Sequence, residues 1–132
     1  MLIYLIDDDS ISLFVAEQTL QMEEFAAQVL AFTSAEAALA SLLPRLGAEV
    51  PDLVLLDLNM PMMSGWDFLE ALNPFAEQLE GACAIYLLTS SLALVDVEKA
   101  KEHPLVNGIF HKPLDEDELK VVAQALHREK NA

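Results

Sequence analysis

The chain has 132 residues, 54% of them apolar, and its 22 acidic residues against 7 basic ones leave a net charge of −15. Hydrophobicity this high excludes intrinsic disorder, and the length leaves no room for a catalytic core beside a separate effector domain. A polyanion repels nucleic acid and anionic membranes, so neither is an expected partner.

The first element is an apolar run, Leu2 to Ile6, stopped by Asp7-Asp-Asp9. It lacks a basic flank and is far shorter than the ~20 residues of a membrane span, so the expected location is the cytoplasm. Residues 10–22 follow with helical spacing. Ile11, Phe14, Val15 and Met22 lie on one face, with Leu13, Ala16 and Leu20 on an adjacent one. Ala27 to Phe32 reads as a second strand. Thr33-Ser-Ala-Glu36 has the capping-box pattern and opens an Ala/Leu-rich helix that Pro44 or Gly47 ends.

Leu53 to Leu56 is a third, wholly apolar strand. Beyond Gly65, the positions of Trp66, Phe68, Leu69 and Leu72 predict another helix. The single cysteine, Cys83, permits no intramolecular disulfide, which suits a reducing compartment. Ala84 to Leu88 is strand four, Leu92 to His103 is a helix halted by Pro104, and Gly108 to His111 is a short fifth strand. Asp115 with Glu118 caps a last helix whose apolar side carries Leu119, Val122, Ala123 and Leu126. The excess negative charge lies upstream of Lys99, and the segment from there to the end is electrically balanced.

Strands alternating with helices, and strands apolar on both faces, predict an α/β domain with a doubly wound parallel sheet. Ligands of such sheets bind at the carboxyl ends of the strands. Those positions hold Asp7, Asp8 and Asp9 after strand one, Asp57 after strand three, Thr89, Ser90 and Ser91 after strand four, and Lys112 after strand five. Asp9 or Ser10 also has the alternative role of capping the first helix. Two carboxylates ~5 Å apart repel by ~3 kcal/mol at an effective dielectric of ~20. The acids therefore need raised pKa values, a cation, or Lys112 reaching across from strand five. Carboxylates without accompanying His or Cys suit Mg2+ or Mn2+. Three aspartates after strand one would repel a nucleotide phosphate, which argues against a flavin or dinucleotide site.

The segments Leu5-Ile-Asp-Asp-Asp9, Leu55-Leu-Asp-Leu-Asn-Met-Pro61 with Gly65, Leu88-Thr-Ser90 and His111-Lys-Pro113 together resemble the receiver domains of two-component response regulators. The resemblance runs from Ile3 to about Glu129. It implies one domain over residues 1–132, with the flavodoxin-like (βα)5 fold and strand order 2-1-3-4-5. It further implies that Asp57 is the phosphoacceptor, served by the phosphohistidine of a histidine kinase or phosphotransfer protein. Asp8, Asp57 and the backbone carbonyl of Asn59 would bind the Mg2+ or Mn2+, and Asp7 would orient metal-bound water. Lys112 and Thr89 would hold phosphoryl oxygens, and Pro113 would follow a cis peptide. Asn59 and Ser91 would flank the route of an attacking water. Many receivers carry an aromatic three residues before the lysine; here that position is Ile109, which leaves the aromatic part of the switch without its residue.

Residues outside this set invite simpler readings. His103, His111 and His127 lack metal-ligand spacing and are expected as surface or capping residues, with His111 expected to pack. Trp66 and Phe68 are expected to anchor core and loop, and Met60, Met62 and Met63 to form a flexible apolar loop. Helix one has more apolar surface than one buried stripe requires, so Phe14 or Leu13 is a candidate kinase contact. No effector follows residue 132 in this sequence, so output is expected through a protein target docking on the balanced C-terminal segment. The last two helices are a candidate homodimer surface. A phosphorylation-independent interaction module would be expected to lack one of Asp8, Asp57, Thr89 or Lys112. An aspartyl-phosphate phosphohydrolase would carry an acid where Asn59 stands. Neither alternative fits as well, and the chain is read as a non-enzyme apart from self-catalysed phosphotransfer and dephosphorylation.

Overall fold

The computed structural model describes residues 1–21, 28–90 and 93–130. Its strands are β1 (Leu2–Ile6), β2 (Gln28–Phe32), β3 (Leu53–Leu56), β4 (Ala84–Thr89) and β5 (Val106–His111). They form one parallel five-stranded sheet in the order β2-β1-β3-β4-β5. The principal helices are α1 (Ser10–Gln21), α2 (Ala35–Leu42), α3 (Gly65–Leu72), α4 (Leu94–Glu102) and α5 (Glu116–Lys130). This is the doubly wound arrangement that the alternation of elements predicts, in the flavodoxin-like strand order that the resemblance implies. Met22, Ala27, Ser91 and Leu92, and the side chain of His127, lie outside the described residues.

Side chains alternate across a strand, so each buried strand supplies both faces of the sheet. Tyr4, Ile6, Val54, Leu56, Ile85 and Leu87 pack with α2, α3 and Ala100 of α4. Ile3, Leu5, Leu53, Leu55, Leu88 and Phe110 pack with Leu13, Ala16 and Leu20 of α1 and Leu119 of α5. Because α1 buries that second set, Ile11, Phe14 and Val15 are left exposed at 75%, 62% and 41%. The structure thus decides between the two candidate contacts: Leu13 is core and Phe14 is surface.

Among the boundaries that differ from the sequence reading, three have a clear local reason. β5 begins at Val106 rather than Gly108. The Asn107 side-chain oxygen accepts from Ile85 N–H at 2.9 Å where the β4–β5 register slips, replacing a ladder bond. α2 is capped by Ser34, whose hydroxyl accepts from Ala37 N–H, rather than by Thr33. α3 is prolonged past Pro74 by a 3-10 turn (Asn73–Phe75) and one further helical turn (Ala76–Leu79). A complete capping box occurs at Ser64 and Asp67, opening α3. As expected, Asp115 caps α5, accepting from the Asp117 and Glu118 N–H groups.

Candidate functional site

The carboxyl ends of the strands are brought level by the register: Ile6 pairs with Leu56, Leu56 with Leu87, and Thr89 with His111. The ladder continues one residue past each strand, where Asp7 N–H donates to Phe32 O at 3.0 Å and Asp57 N–H to Ile6 O at 2.9 Å. Lys112 N–H likewise donates to Thr89 O at 2.8 Å. The backbone of the site is therefore part of the sheet, a more rigid mounting than a loop provides.

On that mounting the carboxylate oxygens of Asp7, Asp8 and Asp57 come within 4.8 Å of one another. Asp7 is fully buried and Asp57 is 6% exposed, while Asp8 is exposed to solvent. Lys112 does reach across from the end of β5. Its Nζ lies 2.7 Å from Asp7 Oδ2 and 3.8 Å from Asp57 Oδ2. Asp7 Oδ1 accepts from Asp9 N–H at 3.0 Å, and Asp57 Oδ1 accepts from Asn59 N–H at 3.4 Å. Asp7 Oδ2 has its ion pair but no well-formed hydrogen bond. One lysine facing two buried carboxylates leaves the cluster short of positive charge. Three convergent hard oxygen donors, one of them incompletely satisfied, fit a small divalent cation.

Burial raises the Asp57 pKa, the Asp7 charge raises it further, and Lys112 opposes both; the result is about 6 against an ordinary 3.8. A carboxyl group whose pKa rises on folding stabilises the fold while protonated. That contribution is complete below about 3.8 and is lost as pH climbs through about 6. In metal-free buffer Asp57→Asn is therefore expected to match wild type near pH 4 and exceed it by ~1–3 kcal/mol at pH 8. Urea unfolding at the two pH values measures this, and a constant difference would refute it.

Thr89, 2% exposed, ends β4 beside Lys112, and the Lys112–Pro113 peptide is cis. Asn59 is exposed directly beyond Asp57. Ile109 is half-buried against the α2–α4 side of the sheet. The neighbouring Phe110 points to the other side, where its ring stacks on Tyr86 with centroids 5.0 Å apart. No aromatic of β5 thus faces α4. Trp66 instead meets α4, with Lys99 Nζ 4.5 Å from its ring centroid. His103 accepts Leu105 N–H at Nδ1 and faces Glu70 through Nε2, whereas His111 is exposed rather than packed.

Two residues of the matched segments have roles that the geometry decides. Gly65 reads in sequence as loop punctuation, but a Cβ there would lie 2.6 Å from the Asp57 carbonyl oxygen and 2.9 Å from Leu58 Cα. Asp9, one of the two candidate caps of the first helix, is the one that turns to the start of α1, accepting Ile11 N–H at 3.0 Å. A cleft of about 360 Å³ lies beside the cluster, lined in part by Asp9, Ile11, Val15, Ser90, Lys112 and Pro113.

Fold and site define a doubly wound α/β domain with an acidic crevice at its strand ends. The chain belongs to the response regulator receiver domain family, whose model matches residues 3–124, and so to two-component signalling. Among solved structures it is similar to a response regulator receiver protein from Dyadobacter fermentans, at 28% identity over 98% of this chain and 97% of that one, TM-score 0.81. It is also similar to a two component response regulator from Cytophaga hutchinsonii, at 26% identity over 96% of each chain, TM-score 0.88. The Vibrio cholerae chemotaxis protein CheY4 shares the fold, at 23% identity over 95% of this chain and 97% of that one, TM-score 0.74. No curated protein matches the sequence.

Proposed function

We propose that the chain, as one domain over residues 1–132, is a cytoplasmic phosphoacceptor receiver that takes a phosphoryl group on Asp57 from a phosphohistidine donor. The observation that carries this reading is the Asp57 carboxylate itself, with oxygens of Asp7 and Asp8 within 4.8 Å of it and the Lys112 ammonium at 3.8 Å. In the metal-free protein burial and the Asp7 charge raise its pKa to about 6, which still leaves it mostly ionised at neutral pH.

In the reaction an Asp57 oxygen forms a bond to phosphorus as the phosphorus–nitrogen bond to the donor imidazole breaks. Asp8, Asp57 and the Asn59 carbonyl would hold Mg2+ or Mn2+, with Asp7 acting through water. When bound, the ion neutralises charge developing on the phosphoryl oxygens. Lys112 would leave Asp7 to pair with one phosphoryl oxygen, and the Thr89 hydroxyl would donate to another. Ser91 and Asn59 would govern access of water to the product. The exposed ridge of Ile11, Phe14 and Val15 on α1 suits docking of the donor, beside the cleft that Lys112 lines. Output would pass to a protein target through the charge-balanced segment from Lys99 onward, which comprises the end of α4, β5 and α5. Ile109 would act there by packing, not by ring rotation. Self-catalysed phosphotransfer and dephosphorylation would be its only chemistry.

Incubation with acetyl phosphate tests the reading. Wild type with Mg2+ is expected to gain about one equivalent of acid-labile phosphate. Wild type in EDTA and Asp57→Asn in Mg2+ are expected to gain almost none. Equal labelling of wild type and Asp57→Asn, or no labelling of wild type, would overturn it.

A further inference from the structure

Asp7 is the most enclosed member of the acid cluster, and its carboxylate is held at both oxygens. Lys112 Nζ faces Oδ2 at 2.7 Å, and the Asp9 N–H donates to Oδ1 at 3.0 Å. These holds differ in permanence. On the function proposed above, Lys112 turns to the phosphoryl group, while the Asp9 amide continues to orient Asp7.

What keeps that amide in place is the Asp9 side chain. Its Oδ1 accepts Ile11 N–H at 3.0 Å and Ser12 N–H at 3.5 Å, while its carbonyl accepts Leu13 N–H at 2.9 Å. These groups are the otherwise unpartnered start of α1, whose first turn contains no acidic residue of its own. Asp9 is also outside the group of carboxylates that converge on the cation position. Its charge is directed at the helix and its amide at Asp7.

We infer that Asp9 is a positioning residue for the cation site: by capping α1 it fixes the amide that orients Asp7, without binding the ion itself. The same cap holds the exposed Ile11 in the first turn, with exposed Phe14 and Val15 one turn further on, so the donor-facing ridge and the cation site share a single anchor. This rests on the proposed function for the identity of the ion and for the release of Lys112.

Two substitutions separate capping from charge. Asp9→Asn keeps a side-chain oxygen suited to the cap and removes the charge. Asp9→Glu keeps the charge but places it on a side chain poorly suited to capping. Mn2+ affinity, read by electron paramagnetic resonance, should stay within about twofold of wild type in Asp9→Asn and weaken about fivefold in Asp9→Glu. Amide hydrogen exchange should quicken at Ile11 and Ser12 in Asp9→Glu alone. The reverse ranking would show that Asp9 acts through its charge, and equal affinity in both variants would show that the cap is unconnected to the site; either result overturns the inference. Wild type that binds no Mn2+ would overturn the proposed function as well, which distinguishes the two failures.

Discussion

Lys112→Met is expected to lose about 3–5 kcal/mol of stability at neutral pH in metal-free buffer, the usual cost of removing one partner of a buried ion pair. Asp7 has no solvent exposure, and its Oδ2 depends on the Lys112 ammonium at 2.7 Å. The methionine side chain fills much the same volume, so packing contributes little to the loss. The defect should grow with pH, because Lys112 is the positive charge that lowers the Asp57 pKa. Without it that pKa lies above about 6, and ionising the cluster at pH 8 sets carboxylates against one another with no lysine between them. Millimolar Mg2+ should restore part of the stability, since a ligand that binds only the folded state stabilises it by mass action. Urea unfolding at pH 5 and pH 8, with and without Mg2+, measures all three effects. A loss that is the same at both pH values would show that Lys112 is not the counter-charge.

Gly65→Ala should leave the sheet folded and impair the site more than the fold. The added Cβ meets main-chain atoms, Asp57 O at 2.6 Å and Leu58 Cα at 2.9 Å, which cannot rotate aside. Gly65 N–H also donates to Leu58 O at 3.0 Å, binding the start of α3 to the segment just after the phosphoacceptor candidate. Relief requires displacing either α3 or the Asp57 backbone, at a cost of ~1–3 kcal/mol. A displacement of ~1 Å at a reacting group can cost ~10²-fold in rate. Labelling by acetyl phosphate should therefore slow about a hundredfold, while thermal unfolding remains a single cooperative transition. Full-rate labelling would mean that α3 moves and Asp57 does not.

What the sequence makes legible here is what depends on composition over several residues. β1, β3 and β4 are unbroken apolar runs, and only a strand buried on both faces calls for such a run. Their carboxyl ends could therefore be located, and Asp7, Asp8, Asp57, Thr89 and Lys112 read as a set before any contact was known. Contacts that depend on one atom were less legible. Thr33 and Ser34 are both good caps, and the backbone alone selects Ser34. The sequence reading starts the fifth strand at Gly108 and leaves Asn107 out, yet the Asn107 side chain satisfies a displaced ladder bond. Gly108 leaves room for the Tyr86 ring, from which a Cβ would lie only 2.7 Å. The two apolar faces of α1 have similar hydrophobicity, so periodicity could not say which one meets the sheet. The partner of Lys112 was legible only as a requirement, since Asp7 and Lys112 are near opposite ends of the chain.

That separation gives the acidic cluster a further property, in the language of folding rather than of chemistry. β1 supplies Asp7, β3 supplies Asp57 and β5 supplies the balancing lysine, and in the sheet β3 and β4 lie between the first and the last. Loop-closure entropy makes such distant pairings slow to form, and here they form together only when the sheet is complete. A nascent chain lacking β5 would hold these acids without the lysine that balances them. Free energy gained by a cation at the site would act first on the paired strands β1 and β3, whose ends supply the three carboxylates, and through their pairing on the rest of the sheet.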